Sequence, residues 1–243
     1  MQLVATLVVT WFLVARAGLT RDMMADVDLT GWPLDWVLLG ASCALLATGY
    51  AVTGLLWRRI VRDLGGPVVS GADAVRLFMI ANLGRYVPGK VWQIAGLAAL
   101  GRSRGVPSVV AAAAAVLGQG AALLAATALG LYALGGWAPA PWPTVGPIVA
   151  LCAIGLLLWP PAFDRAAAVW FRISRTDPVE GLRPATALRW LAVAGLNWVL
   201  FVVAFWVLVR GLGLTGSLPA VGSAFAAAYV LGYVMIFAPA GIG

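Results

Sequence analysis

The chain has 243 residues, 63% of them hydrophobic and 10% charged, with a formal net charge of +7 and no histidine. A soluble domain carries about a quarter of charged residues, so this balance excludes an ordinary soluble fold and makes the bilayer the expected solvent. The excess positive charge falls in short clusters between apolar runs, a pattern of topology signals and anionic lipid contact, so no nucleic-acid partner is expected.

The first apolar run covers residues 3–15 and extends to 19 past Arg16, without the basic leader of a secretory signal. An acidic loop follows, with Arg21, Asp22, Asp26, Asp28 and Asp35. Residues 36–57 carry no charge and, at 1.5 Å per residue, would cover roughly 33 Å, enough to cross a hydrocarbon core of about 30 Å. Arg58, Arg59 and Arg62 come next, then Gly65-Gly66-Pro67 as a stop. Residues 68–104 are apolar but interrupted by Asp73, Arg76, Arg85 and Lys90 and broken by Gly84, Pro88 and Gly89. That segment is a poor single span. Beyond Arg102 and Arg104, spans are predicted at about 107–135 and 145–159, divided by a turn in the proline-rich WAPAPWP at 137–143. The loop 160–189 mixes both signs around a small-residue and aromatic patch at 166–171 suited to the membrane interface. A span over 190–209 ends at Arg210, and a last apolar run, 218–237, leads into Ala238-Pro239-Ala240-Gly241-Ile242-Gly243.

Several single residues fit this plan. Trp11, Trp32, Trp36, Trp57, Trp137, Trp142, Trp159 and Trp190 fall near span ends, as interfacial anchors should. Cys43 and Cys152 lie far apart inside apolar runs and read as buried small hydrophobes. Without histidine or a cysteine cluster, no metal and no cofactor is predicted. Asp73 and Arg76 are placed to pair across one helical turn. Gln119 and Asn197, lone polar residues in spans, are expected to make interhelical hydrogen bonds.

If the Arg58 cluster is cytoplasmic, then Arg102, Arg104, Arg165, Arg172, Arg175, Arg183 and Arg189 share its side, and only Arg16, Arg21 and Arg210 lie opposite. The positive-inside rule favours that orientation. Both flanks of 68–104 are then cytoplasmic, so the segment is predicted to be a re-entrant hairpin of half-helices at about 71–83 and 90–101. Broken backbone at membrane depth is tolerated only where protein buries it or it lines a water-filled cavity.

At an offset of 148 residues Arg62 aligns with Arg210, Leu64-Gly65 with Leu212-Gly213 and Leu83-Gly84 with Leu231-Gly232, while Pro88-Gly89 meets Pro239-Ala240-Gly241 three residues out of register. Two such copies in opposite orientation would form an inverted repeat, with broken helices meeting near the midplane. The expected fold is therefore all-α: a polytopic transmembrane helical bundle with re-entrant broken helices. We read residues 1–243 as a single membrane domain. Its first half is 1–136, and an incomplete second half, 145–243, is expected to continue beyond Gly243.

Within NLGRYVPGKVWQ, Pro88 lacks an amide hydrogen and biases Val87 away from helix, while Gly84 and Gly89 allow close backbone approach. Pro239 and Gly241 would break the second copy in the same way. Lys90 opens the next half-helix, whose free amides already favour an anion. Arg85, Lys90 and those amides can cradle a lipid phosphate, with Tyr86, Trp92 and Gln93 adding hydrogen bonds and an apolar wall. The plainer alternative is that Arg85 and Lys90 snorkel to the cytoplasmic interface and only hold the hairpin.

The run NLGRYVPGKVWQIAGLAALGRSRGVP, followed by a small-residue span with Gln119, resembles the lysylphosphatidylglycerol synthase transmembrane-region family of flippase-like membrane proteins. The resemblance extends from about Trp36 onward, and FAPAGIG looks like the start of that family's second Pro-Gly-Gly-type motif, with Ala240 where glycine is commoner. It implies an all-helical protein of the bacterial cell membrane that binds or translocates anionic phospholipid or lipid-linked saccharide. Pro88, Gly89, Lys90 and Gln93 match the family's first motif. Lys90 stands where relatives have arginine, and Gln93 near a frequent glutamate, which puts a carboxylate-dependent step in doubt. No soluble synthetase domain is expected in these residues. The alternatives are a membrane glycosyltransferase that uses a lipid carrier, against which the missing histidine and carboxylate cluster argue, and a non-catalytic membrane partner of a separate synthetase or transferase.

Overall fold

The computed structural model describes residues 33–86, 92–137, 155, 159–174 and 183–234, and these form seven α-helices and no strand. Helix α1, Trp36–Asp63, starts because the Asp35 carboxylate accepts hydrogen bonds from the amides of Val37 and Leu38 at 2.9 and 3.0 Å, satisfying donors that the first turn leaves unpaired. Helix α2, Gly71–Asn82, is capped by the Ser70 hydroxyl, which accepts from the Asp73 amide at 3.0 Å. It runs into a 3₁₀ turn, Leu83–Tyr86, and the chain returns in α3, Trp92–Gly101, and a second 3₁₀ turn, Arg102–Arg104. Helix α4 is Ser108–Trp137 and α5 is Pro160–Ser174. Helix α6, Pro184–Gly211, carries proline in its first turn, where the missing amide hydrogen costs nothing. Helix α7 is Leu218–Val234.

Among the described residues three helices are long and apolar enough to cross a membrane: Trp36–Asp63, Ser108–Leu131 and Pro184–Gly211. The chain is an integral membrane protein. Helices α2 and α3, with 12 and 10 residues, reach only about 18 and 15 Å at 1.5 Å per residue. Neither can span alone.

Helices α1 and α6 run antiparallel along their length. The Asp35 amide donates to the Gly211 carbonyl at 2.9 Å and the Ser42 hydroxyl to the Ala204 carbonyl at 2.9 Å. At the other end the Trp190 indole donates to Asp63 at 2.9 Å. Helix α4 joins them through the Trp57 indole, which donates to the Ala111 carbonyl at 3.1 Å. The core gathers around Trp57, Ile60, Val61, Leu97 and Trp198, with alanines 111, 113, 114, 125, 126 and 226 letting α4 approach its neighbours. Small residues at helix contacts are the usual solution where lipid gives no hydrophobic drive to association.

The turns that end α1 and α6 are built alike at the offset of 148. After α1 the amides of Leu64, Gly65 and Gly66 donate to Ile60, Arg62 and Val61; after α6 those of Leu212, Gly213 and Leu214 donate to Leu208, Arg210 and Val209. Gly65 and Gly213 take the left-handed conformation, φ +78° and +72°, which a residue with a Cβ adopts only at a cost.

Four expectations change. Asp73 pairs with Arg104 at 2.8 Å rather than with Arg76, because the return of α3 brings the 102–104 turn beside the start of α2. Trp57 and Trp190 are buried, each with its indole hydrogen bonded inside the bundle, whereas Trp36 and Trp159 are exposed. Cys43 is exposed, since one residue step turns the helix by about 100° and it is Ser42 that faces α6. The predicted loop 160–189 contains α5 and the first turns of α6. The spans predicted at 3–19 and 145–159, the turn at 137–143, Trp11, Trp32, Trp142 and Cys152 fall wholly or mainly outside the described residues.

Candidate functional site: a polar cavity inside the bundle

A cavity of about 450 Å³ opens between the helices, with walls from α1, α2, α3, α4, α6 and α7. It is not uniformly apolar. Thr53, Asn82, Gln93, Gln119, Asn197 and Tyr229 line it, alongside Trp198, Phe201 and Phe225. Among the described lining residues there is no Asp, Glu, Lys or Arg, and these residues offer neutral hydrogen-bonding groups against an apolar and aromatic wall. Such a combination of an apolar wall and a few convergent polar groups is typical of ligand sites.

The hairpin delivers two of these groups. Asn82 is the last residue of α2 and Gln93 the second of α3, so the break between the half-helices brings a carboxamide from each limb to the same cavity. Gly84 makes that convergence possible: a Cβ there would stand 2.9 Å from the Trp92 carbonyl carbon and 3.0 Å from the Gln93 nitrogen. The base of the hairpin is fastened by Asp73, which accepts from Arg104 at 2.8 Å and from the Ser70 hydroxyl at 2.9 Å. The hydrogen bond from Arg104, and then that from Ser70, hold its carboxyl below the usual carboxylate range. Arg58 clasps the preceding turn by donating to the Val69 carbonyl.

The opposite walls come from the spans. The Gln119 amide of α4 lies 2.6 Å from the Tyr229 hydroxyl of α7, and the Asn197 amide of α6 donates to the Thr53 hydroxyl of α1 at 2.9 Å. Both are the interhelical bonds expected of lone polar residues in spans. The Asn197 carbonyl oxygen is buried and has no hydrogen-bond partner. Around it, Trp198 packs edge-on against Tyr229 and Phe201, with centroids 4.7 and 5.9 Å apart. Phe201 in turn meets Tyr50 at 5.5 Å.

Of the residues assigned to a headgroup site by sequence, Gln93 lines the cavity and Trp92 is half exposed without lining it. Arg85 and Tyr86 belong to the 3₁₀ turn, and their side chains lie outside the described residues, as do Pro88, Gly89, Lys90, Pro239 and Gly241. Sequence reasoning missed Asn82, Thr53 and Tyr229 as site residues. Their signal was a polar group at each end of a helix break, or opposite another polar residue, within an apolar run. Among the described residues no group of three or more His, Cys, Asp or Glu is placed to hold a metal. Compared with family models, with curated proteins and with solved structures, the chain gives no match.

Proposed function

We propose that this protein is a flippase-like protein of the bacterial cell membrane, which binds or translocates a lipid whose headgroup, anionic phospholipid or lipid-linked saccharide, enters the cavity between its helices. The support is the cavity itself: about 450 Å³ between three helices of membrane-crossing length and three shorter ones, with hydrogen-bonding side chains on both limbs of a short helical hairpin. A polar chamber at membrane depth lowers the cost of carrying a polar headgroup past the lipid tails. In this reading α2 and α3 form a re-entrant hairpin, and Arg85 and Lys90 draw the headgroup to its mouth. The antiparallel pair α1 and α6, with its matching turns, belongs to an inverted repeat.

Leaflet-resolved lipid scrambling in liposomes tests the proposal, using the protein together with Arg85→Ala, Lys90→Ala and Gln93→Ala. We expect transfer by the parent and at least a several-fold slower rate in each variant. Equal rates in all four would sink the headgroup roles, and no transfer by the parent would sink translocation.

A further inference from the structure

Independently of what the cavity carries, we infer that α5 lies along the membrane surface and docks on an anionic lipid leaflet, with an apolar side among the tails and a basic side at the headgroups. The helix has 15 residues, Pro160–Ser174, and at 1.5 Å per residue it reaches roughly 22 Å, short of a hydrocarbon core of about 30 Å. It cannot cross. It is the most amphipathic of the described helices, and large apolar side chains stand open on it and just before it: Trp159 is 56% exposed, Val169 52% and Ile173 72%.

The side chains of α5 divide into three sectors. At about 100° per residue, Phe163 and Ala167 share one side, and there Phe163 is buried and Ala167 packs against the core of the bundle. Asp164, Arg165, Ala168 and Arg172 fall on a second side, all exposed. Val169 and Ile173 form a third, which adjoins the arginines. A helix held to the bundle by its first sector must give the other two to an apolar and a polar medium at once. Only the boundary between lipid tails and headgroups supplies both. Arg165 and Arg172 sit two turns apart on one side, so their stems can follow the apolar edge while the guanidinium groups reach phosphate oxygens. Near an anionic surface each basic group is worth about fivefold in partition, and the pair outweighs the single carboxylate of Asp164. Trp159, at the start of the helix, has the amphipathic ring that settles at headgroup level.

Depth measurements on the full chain in nanodiscs test the docking. Cys43 and Cys152 are replaced by alanine, and one fluorophore is attached through Ala168→Cys, Val169→Cys or Ile173→Cys, exposed positions at which the melting midpoint should not change. The discs hold phosphatidylcholine, alone or mixed with phosphatidylglycerol, and a lipid with a nitroxide just below its headgroup. We expect the nitroxide to quench labels at 169 and 173 severalfold more than at 168, and acrylamide in the water to show the reverse order. Phosphatidylglycerol should deepen the nitroxide quenching at 169 and 173, and Arg165→Gln combined with Arg172→Gln should abolish that gain. Strong acrylamide quenching at all three positions would put α5 in water and overturn the inference. Protection of 169 and 173 from both quenchers would overturn it too, since another protein segment would then cover the apolar side. Equal nitroxide quenching with and without phosphatidylglycerol would overturn the anionic partner.

Discussion

Asp73 does two jobs with one carboxylate. Its backbone amide and one side-chain oxygen close a reciprocal bond with Ser70 at the start of α2, and its other oxygen takes the Arg104 guanidinium at 2.8 Å. Arg104 thus fastens the end of the α3 return to the beginning of α2, and through it the geometry of the break in between. The pair is exposed, so salt should weaken it. The pH dependence has a definite sign. The folded carboxyl sits below its ordinary range, so its contribution is present above the unfolded pKa, about 4, and is lost as pH falls through the folded value. Melting of the detergent-solubilised protein should be insensitive to this group between pH 8 and 5 and should decline below about pH 4. Asp73→Asn should melt a few degrees lower at neutral pH and lose part of that acid decline. An unchanged acid limb in the variant would remove Asp73 as its source.

Helix packing depends on which faces meet, and α4 against α7 is a close case. A Cβ on Gly130 would stand 2.9 Å from the Ala227 nitrogen and 3.0 Å from its Cα, both backbone atoms that cannot rotate away. Gly130→Ala should therefore push α7 outward and cost about 1–3 kcal/mol, the usual range for overpacking. At Gly120, on the same helix, an added Cβ meets nothing within 4 Å, and Gly120→Ala should be neutral or stabilise by up to about 1 kcal/mol through helix propensity. Comparing their melting midpoints in one detergent checks both, and equal midpoints would mean that α4 and α7 are not in contact. This dependence on faces also divides what was legible in the sequence from what was not. The half-helices at 71–83 and 90–101 could be read because Gly84, Pro88 and the charges act locally on the backbone, and α2 and α3 fall there. The stop at Gly65-Gly66-Pro67 was equally local, and α1 ends at Asp63. The cavity was not legible, because Asn82, Thr53 and Tyr229 become neighbours only once six helices take their register. Trp57 and Trp190 were misread for the same reason: position near the end of an apolar run does not reveal that a partner carbonyl or carboxylate waits inside.

Across the whole molecule, charge and packing agree on two unlike ends. Asp63 meets Trp190, Trp57 meets Ala111 and Asp73 meets Arg104. The end of α1, the base of the hairpin and the starts of α4 and α6 are thereby collected at one pole, which carries Arg58, Arg59, Arg62, Arg102, Arg104, Arg183 and Arg189. At the other pole the start of α1 meets the end of α6 through Asp35 and Gly211, with Arg210 the basic residue of that turn. If the arginine-rich pole is cytoplasmic, as charge bias in loops dictates, the hairpin opens its base to the cytoplasm and α7 begins from outside. Ser103 and Ser217 are exposed on the two poles and report on this directly. With Cys43 and Cys152 replaced by alanine, Ser103→Cys should react with a membrane-impermeant maleimide only in inside-out vesicles, and Ser217→Cys only in right-side-out ones. Labelling of both from the same face would break the antiparallel relation between the hairpin and α7. Reversal of both would keep that relation and invert the orientation.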